Sequence, residues 1–220
     1  MRHRRSPNFG ERRQGLRPTI VVIHYTAMQD AAAAEERLCD PEAEVSAHYL
    51  IDRSGQVTCL VDEEHRAWHA GVGEWRGLDD INSRSIGIEL DNTGAQPFPE
   101  PQMVALEELL RRLMGRWQIA PENVIGHSDM APGRKHDPGT RFDWQRLAAY
   151  GLAVETRRAG PQAPDSAAFR SALVQAGYTA PCSDADLLAA FRLRHRQGAL
   201  GPLDEEDMAR ASGCAPASEN

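Results

Sequence analysis

Residues 126–140, with the sequence G-H-S-D-M-A-P-G-R-K-H-D-P-G-T, concentrate side chains that could bind a metal ion. Two histidines, two aspartates and a lysine lie among glycine and proline residues, which favour an irregular loop. In such a loop, side chains can converge on one point. Zinc prefers histidine nitrogen and carboxylate oxygen ligands, and a catalytic zinc site keeps one coordination position for water. The loop supplies only part of such a site, so a further ligand must come from a distant element.

We expect this further ligand to be His24, the last residue of the apolar run T-I-V-V-I-H at residues 19–24. A continuous β-branched run of this kind predicts a strand that is buried on both faces. Open α/β sheets bind ligands at the carboxyl ends of their strands, where His24 would lie. A histidine at a strand end can equally be a structural hydrogen-bonding residue, so the strand alone does not establish a metal site.

Within the loop, His127 and Asp137 are the ligands that we expect beside His24. In an extended segment Lys135 and Asp137 lie on one face and His136 points away, which favours Asp137 over His136 as the ligand. Asp137 could instead cap the Pro-Gly turn that follows it, and Lys135 could be a solvated charge. The coincidence of these residues with a strand that ends in histidine favours the metal site.

Glu89 and Lys135 are the residues that we expect to act on a substrate at this site. Zinc lowers the pKa of a bound water to about 7, so that it becomes a nucleophile at neutral pH. Glu89 is the one charged residue of the run S-I-G-I-E-L, and it could accept the proton of that water and pass it to a leaving amine. Lys135 could stabilise the negative charge that develops on the substrate oxygen. Together with the three ligands, this pair predicts an amide hydrolase.

The surrounding patterns predict an α/β domain over about the first 150 residues, because strands alternate with helices. In the strand at residues 85–90, Ile86 and Ile88 should face one side of the sheet and Glu89 the other. The clearest amphipathic helix lies at residues 101–117. The other predicted strands are residues 19–24, 47–52, 56–61 and 123–126, and the other predicted helices are residues 31–38 and 143–150.

Residues 155–165 (E-T-R-R-A-G-P-Q-A-P-D) are rich in glycine, proline and charge, which predicts a linker. This linker would separate a catalytic domain at residues 1–154 from a small helical unit at residues 166–213. A unit of some fifty residues is marginally stable alone, so it would dock on the first domain or bind a partner itself. Its three predicted helices are residues 166–176, 183–196 and 204–211.

The 220-residue chain is acidic, with a net charge of -7, which argues against a general affinity for nucleic acid. The first residues lack the apolar core of a signal peptide, and no segment has the length needed to span a bilayer. The four cysteines lie far apart, as is typical of free thiols. We therefore expect a cytoplasmic monomer without a nucleic-acid or membrane partner; a periplasmic location would require a leader that had been removed.

The residues assembled so far lie in sequence blocks that resemble the zinc-dependent N-acetylmuramoyl-L-alanine amidases of the AmpD/AmiD type. This type-2 amidase family is related to the peptidoglycan recognition proteins. The resemblance covers about residues 6–150, and the blocks follow the order of the family. They are V-V-I-H-Y-T (21–26), V-S-A-H-Y-L-I-D (45–52), R-A-W-H-A-G-V (66–72), I-N-S-R-S-I-G-I-E-L (81–90), G-H-S-D-M-A-P-G-R-K-H-D-P-G (126–139) and F-D-W (142–144).

The resemblance implies a mixed central β-sheet flanked by helices, and one Zn²⁺ held by His24, His127 and Asp137. It implies that Glu89 and Lys135 are catalytic, and that the substrate amide joins N-acetylmuramic acid, or its 1,6-anhydro form, to L-alanine of the peptidoglycan stem peptide. The partners would be muropeptides or peptidoglycan fragments, in wall recycling or turnover, and the helical unit resembles a peptidoglycan-binding module. The residues expected to contact substrate are Tyr25, Trp68, His69, Ala70, Trp75, Asn82 and Arg84.

One departure from the family concerns the choice of substrate. The cytoplasmic recycling branch tends to carry arginines for the stem-peptide carboxylates where this chain has Glu44 and Asp80, and a carboxylate there would repel those groups. We therefore expect a broader, AmiD-like substrate range. Two alternatives are a non-catalytic muropeptide-binding module of the same fold and a phage-type lysin that acts on intact wall. Because all five ligand and catalytic positions are filled, the sequence favours an enzyme over a binding module.

Overall fold

The computed structural model of the protein describes residues 1–214. Within these residues the strands are β1 (Arg2–His3), β2 (Phe9–Glu11), β3 (Ile20–Tyr25), β4 (Tyr49–Ile51), β5 (Val57–Cys59), β6 (His65–Ala67), β7 (Ser85–Leu90) and β8 (Val124–Gly126). The helices are α1 (Ala31–Cys39), α2 (Ile81–Arg84), α3 (Glu100–Trp117), α4 (His127–Met130), α5 (Trp144–Ala149), α6 (Ser166–Ala176), α7 (Asp184–His195) and α8 (Glu205–Cys214). Within the same residues, no helix combines the length and the apolar character that crossing a bilayer requires.

Six strands form one mixed sheet in the order β1-β5-β4-β7-β3-β8, and β2 pairs with β6 in a separate two-stranded sheet. Strand β3, which lies between β7 and the edge strand β8, runs parallel to both of them. Within the six-stranded sheet, β4 and β5 pair antiparallel and are joined by a tight turn through Gly55. This arrangement confirms the predicted mixed sheet with flanking helices.

The pairing of β3 with β7 sets His24 beside Glu89. Residues paired in neighbouring strands lie about 5 Å apart and point to the same face of a sheet. His24 is the fifth residue of the six-residue strand β3, so this face carries both side chains close to the carboxyl end of the sheet. The register therefore places the predicted ligand and the predicted base together.

The two faces of the sheet are covered by different parts of the chain. Val21 and Ile23 of β3 belong to an apolar core under the amphipathic helix α3, whose Leu106 and Leu110 are fully buried. Ile20 and Val22 point the other way, into a core shared with α6, α7 and α8. The helical unit therefore docks on the first 154 residues, while residues 155–165 contain no helix or strand.

Most of the predicted elements occur with shifts of one or two residues at their ends. The predicted strands at residues 47–52 and 56–61 are shorter, because the backbone N–H groups of Leu60 and Val61 both donate to the carbonyl of His48 and interrupt the ladder. The irregular loop predicted at residues 126–140 begins with the short helix α4. The alternation in β7 is confirmed, since Ile86 and Ile88 lie in the core under α3.

Candidate metal centre and active site

Three side chains meet near the carboxyl ends of β3 and β8: His24, His127 and Asp137. The Nδ1 atom of His24 lies 3.0 Å from Nδ1 of His127 and 2.9 Å from Oδ2 of Asp137. The Nδ1 atom of His127 lies 3.1 Å from the same carboxylate oxygen. All three side chains are buried. The structure thus brings together the three residues that the sequence predicted as metal ligands.

The charge states of these groups suit a divalent cation. Burial, reinforced by the neighbouring His127, lowers the pKa of His24 to about 4, so its imidazole is neutral at physiological pH. Burial alone would raise the pKa of Asp137, but the close contacts of its carboxylate with the rings of His127 and His24 outweigh burial and hold that pKa well below its usual range. The neutral imidazole of His24 and the carboxylate of Asp137, together with the imidazole of His127, match the ligand set that zinc prefers.

Local contacts of the loop bring His127 and Asp137 together although ten residues separate them. The backbone N–H of Ser128 donates to the carbonyl of Asp137 at 3.0 Å, which joins the two ends of the loop. Gly126 permits this approach, because a Cβ atom there would lie 2.7 Å from the Pro138 ring. His24 reaches the same point from the end of β3, so two separate elements build the centre.

Glu89 lies beside this centre and has an unusual environment. Its Oε2 atom is buried and lacks a hydrogen-bond partner within residues 1–214. Burial, with a further contribution from the charge of Asp137 and against that of Lys135, raises the pKa of Glu89 to about 8. A carboxyl group with a pKa near the working pH can both accept and return a proton, which is the requirement for a general base.

The metal centre opens into a cavity of about 390 Å³. This volume lies within the range of about 300–1,000 Å³ that is usual for small-molecule sites. Lys135 and Glu89 line the cavity together with the three candidate ligands His24, His127 and Asp137. The predicted catalytic pair therefore shares one cavity with the predicted metal site, and the exposed His136 also lies on its wall.

Three of the residues predicted to contact substrate line the same cavity: Tyr25, Trp68 and His69. Two other predicted contact residues, Ala70 and Asn82, lie behind the residues that line the cavity. The Ala70 carbonyl accepts a hydrogen bond from Nε2 of His127 at 2.8 Å, and Oδ1 of Asn82 accepts the backbone N–H groups of His69 and Ala70. Ala70 and Asn82 thus position the site and do not face the cavity.

The remaining two predicted contacts, Trp75 and Arg84, lie elsewhere. Trp75 is buried with its ring 5.1 Å from that of Tyr178, at the junction with the helical unit, because a turn closed by Trp75 and Leu78 directs the indole inward. The Arg84 guanidinium donates to the carbonyl of Asp79 at 2.9 Å. Neither Trp75 nor Arg84 is among the residues that line the cavity beside His24, His127 and Asp137.

Glu44 and Asp80, the two acidic residues that depart from the family pattern, have different surroundings. Asp80 pairs with Arg66 at 3.4 Å, so its charge is compensated within the protein. Glu44 is exposed next to Val45 and Ser46, which line the cavity. Because Arg66 compensates its charge, Asp80 is not expected to repel a carboxylate of the substrate. Glu44, by contrast, lies near the rim of the cavity.

Arg134 also lines the cavity, although the sequence pattern does not single it out. Its guanidinium donates to the Ala70 carbonyl at 2.6 Å and lies 3.4 Å from Nε2 of His127. It also donates to the carbonyl of Val72. Its position directly before Lys135 in the run G-R-K-H-D was the available signal, but an arginine in a polar loop is more often a solvated charge.

Comparison with known proteins agrees with this geometry. Residues 14–140 match the family described as N-acetylmuramoyl-L-alanine amidase. The chain is 36% identical to the N-acetylmuramoyl-L-alanine amidase AmiD of Escherichia coli K12, over 87% of this chain and 80% of the relative. It is also 36% identical to the 1,6-anhydro-N-acetylmuramyl-L-alanine amidase AmpD of Enterobacter cloacae, over 67% of this chain and 88% of the relative.

A solved structure extends the likeness to the helical unit. The E. coli amidase AmiD, in complex with the substrate anhydro-N-acetylmuramic acid-L-Ala-D-gamma-Glu-L-Lys, superposes with a TM-score of 0.81 at 34% identity. The match covers 91% of this chain and 90% of that chain. Sequence family, fold and the arrangement of buried ligands all lead to one assignment: the chain belongs to the N-acetylmuramoyl-L-alanine amidase family.

Proposed function

We propose that the protein is a zinc amidase that hydrolyses the bond between N-acetylmuramic acid, or its 1,6-anhydro form, and L-alanine of the peptidoglycan stem peptide. The observation that carries this proposal is the group His24, His127 and Asp137, with Glu89 and Lys135 lining the same cavity. The cellular role that fits this reaction is the recycling or turnover of cell-wall fragments.

The three ligand side chains would hold one zinc ion and leave a coordination position free for the reaction. A zinc ion there would supply Lewis-acid activation of a water molecule and of the scissile carbonyl. The Ala70 carbonyl fixes the ring of His127, so this ligand is already oriented in the protein. An oriented ligand set loses little entropy when the metal binds.

Glu89 is the residue we assign as general base. Its buried, unpartnered Oε2 atom can take the proton of the attacking water, and the raised pKa makes the return of that proton to the leaving amine of L-alanine favourable. Lys135 provides a positive charge on the wall of the same cavity, where it would stabilise the oxyanion of the transition state.

The substrate class is supported by the relatives and by the cavity wall. Tyr25 and Trp68 supply partly exposed aromatic surface for a sugar ring or peptide. The AmiD structure matched over 91% of this chain holds an anhydro-muramyl tripeptide. Because the AmiD likeness includes the helical unit, we assign this chain a broad range that includes both muramic and anhydro-muramic substrates.

The experiment that tests the proposal incubates the full chain with a soluble anhydro-muramyl peptide, its non-anhydro counterpart and intact sacculi. Mass spectrometry should detect free stem peptide with an L-alanine amino terminus. Treatment with a chelator should abolish this release, and added zinc should restore it. Full turnover in metal-free protein would contradict the zinc mechanism, and binding of the substrates without release would identify a binding module instead.

A further inference from the structure

The far nitrogens of the two metal-binding imidazoles are held in different ways. Nε2 of His127 lies 2.8 Å from the carbonyl oxygen of Ala70, which can only accept, so Nε2 carries the proton and Nδ1 keeps its lone pair. Nε2 of His24 lies 3.0 Å from Nδ1 of His69, a nitrogen that can either donate or accept. The tautomer of His24 therefore depends on that of His69.

Ser85 decides the tautomer of His69. Its hydroxyl oxygen lies 2.6 Å from the carbonyl of Ile81, which only accepts, so the single hydroxyl proton lies in that bond. The same oxygen lies 3.1 Å from Nε2 of His69 and has no second proton to donate. The His69 Nε2–H group therefore donates to Ser85, and its Nδ1 accepts the Nε2 proton of His24. This leaves the lone pair of His24 Nδ1 facing the other two ligands.

The ring of His69 is confined to this position. It lies against Gly87, where an added Cβ atom would come within 2.5 Å of the ring. Its backbone N–H donates to Oδ1 of Asn82 at 3.0 Å, and Ser85 is fully buried. Gly87 and Ser85 both belong to β7 and point to the face that carries Glu89. One face of β7 thus carries the glycine against which the His69 ring packs, the serine that accepts the proton of the ring, and the proposed general base.

We propose that Ser85 and His69 are positioning residues that hold His24 in the one tautomer able to bind zinc through Nδ1. The inference rests on the zinc site proposed above and deepens it, because it states which nitrogen binds and what enforces that choice. Hydrogen-bond partners behind a metal ligand typically change metal affinity by about 10–100-fold. The chain from Ile81 through Ser85 and His69 to His24 is expected to have an effect of this size.

The first test removes the buried hydroxyl of Ser85 by the substitution Ser85→Ala in the full chain. Without its acceptor, His69 can place its proton on Nδ1, which opposes the zinc-binding tautomer of His24. Zinc affinity, measured by competition with a chromogenic chelator, should fall by about 10–100-fold. Ser83→Ala is the matched control, because Ser83 is also fully buried but accepts from the backbone of Arg13 and should leave zinc affinity unchanged. Ser85→Thr, which keeps a hydroxyl, should recover the affinity.

The second test reads the tautomers directly in the unaltered chain. Long-range ¹H–¹⁵N correlation spectra should show protonated Nε2 atoms in His24, His69 and His127, with and without zinc. A proton on Nδ1 of His69, or unchanged zinc affinity in folded Ser85→Ala protein, would overturn the inference. Failure of the unaltered chain to bind zinc would instead overturn the proposed function, and the His69 tautomer would still decide this inference.

Discussion

His127 and Asp129 lie two residues apart in the helix α4, yet they belong to two buried polar clusters of opposite character. His127 belongs to the metal centre, where acceptor atoms of three side chains lie about 3 Å apart. Asp129 belongs to a cluster at the junction with the helical unit. Its carboxylate accepts hydrogen bonds from the backbone N–H of Gly126, from the Tyr178 hydroxyl and from Arg194.

The polar side chains of the junction cluster have hydrogen-bond partners within the protein. The Arg194 guanidinium bonds to Asp129 at 2.7 Å, donates to the carbonyl of Val124 and stacks on the Trp144 ring at 4.2 Å. The Tyr178 hydroxyl lies between Asp129 and His195. A buried charge that is fully paired in this way fixes the relative position of the elements that carry it. Here the elements are α4 and α7, so the helical unit supports the helix on which His127 lies.

In the metal centre, by contrast, not every buried polar atom has a hydrogen-bond partner within residues 1–214. The lone pairs of His24, His127 and Asp137 converge on one point, and Oε2 of Glu89 is buried without a partner. Unsatisfied buried groups lower the stability of a protein, so they persist where a ligand or a reaction uses them. The comparison teaches that burial of polar residues does not by itself mark a site; here the site is marked by three side chains whose lone pairs converge, beside the unpartnered Oε2 of Glu89.

The largest effect is expected from Arg194→Met, which breaks the junction cluster. Removal of one partner of a buried ion pair leaves Asp129 uncompensated, and such changes cost about 3–5 kcal/mol of unfolding free energy. Urea denaturation of the full chain measures the loss. Arg170→Met in the same helical unit is the control, because the Arg170 pair with Asp184 is largely exposed and should contribute far less.

The double variant Asp129→Asn/Arg194→Met sharpens this prediction. Because the charge left behind by the single change is then removed, the double variant should be more stable than Arg194→Met alone. If the two single changes add without coupling, the junction cluster does not act as a unit and the contrast with the metal centre fails.

Glu89→Gln tests the cluster at the metal centre and should lower activity while raising the stability of the fold. Loss of the base should reduce turnover by about 10²–10⁴-fold, with zinc stoichiometry retained. Steady-state release of stem peptide, with zinc content determined on the same sample, measures both. Unchanged turnover would remove Glu89 from its assigned role.

The gain in stability of Glu89→Gln should depend on pH in metal-free protein. The pKa of Glu89 is raised from 4.5 to about 8 in the folded state, so between these values the unfolded chain loses this proton while the folded chain keeps it. Stability of the unaltered protein therefore falls as the pH rises through this window, and glutamine has no proton to lose. The difference in unfolding free energy should grow from pH 4.5 to pH 8 and then level off; a difference independent of pH would contradict the raised pKa.

The parts of the site that the sequence predicted are those set by local pattern. The apolar run ending in His24 and the alternation that separates Glu89 from Ile86 and Ile88 depend only on strand periodicity. Strand register then places His24 beside Glu89, as a shared site requires. The spacing of Lys135 and Asp137 was likewise readable within one short segment.

The parts that the sequence did not predict depend on partners far away in the chain. The sequence pattern assigns no role to Asp129, because its partners Tyr178 and Arg194 lie 49 and 65 residues away. The sequence predicts that Trp75 contacts substrate, since an exposed tryptophan and one buried against Tyr178 look the same in sequence. The link from His24 to His69 spans 45 residues and has no periodic pattern.

The smallest effect is expected from His136→Ala, and it separates two neighbouring residues of the loop. His136 is exposed on the cavity wall, whereas Asp137 is buried against His24 and His127. Because His136 does not take part in the converging group, its removal should leave about one zinc ion per chain and an unchanged zinc affinity. Elemental analysis after dialysis measures the stoichiometry, and Asp137→Ala, which removes a carboxylate ligand, is the matched control that should lose the metal. Loss of zinc from His136→Ala would mean that the exposed imidazole, and not the buried carboxylate, completes the centre.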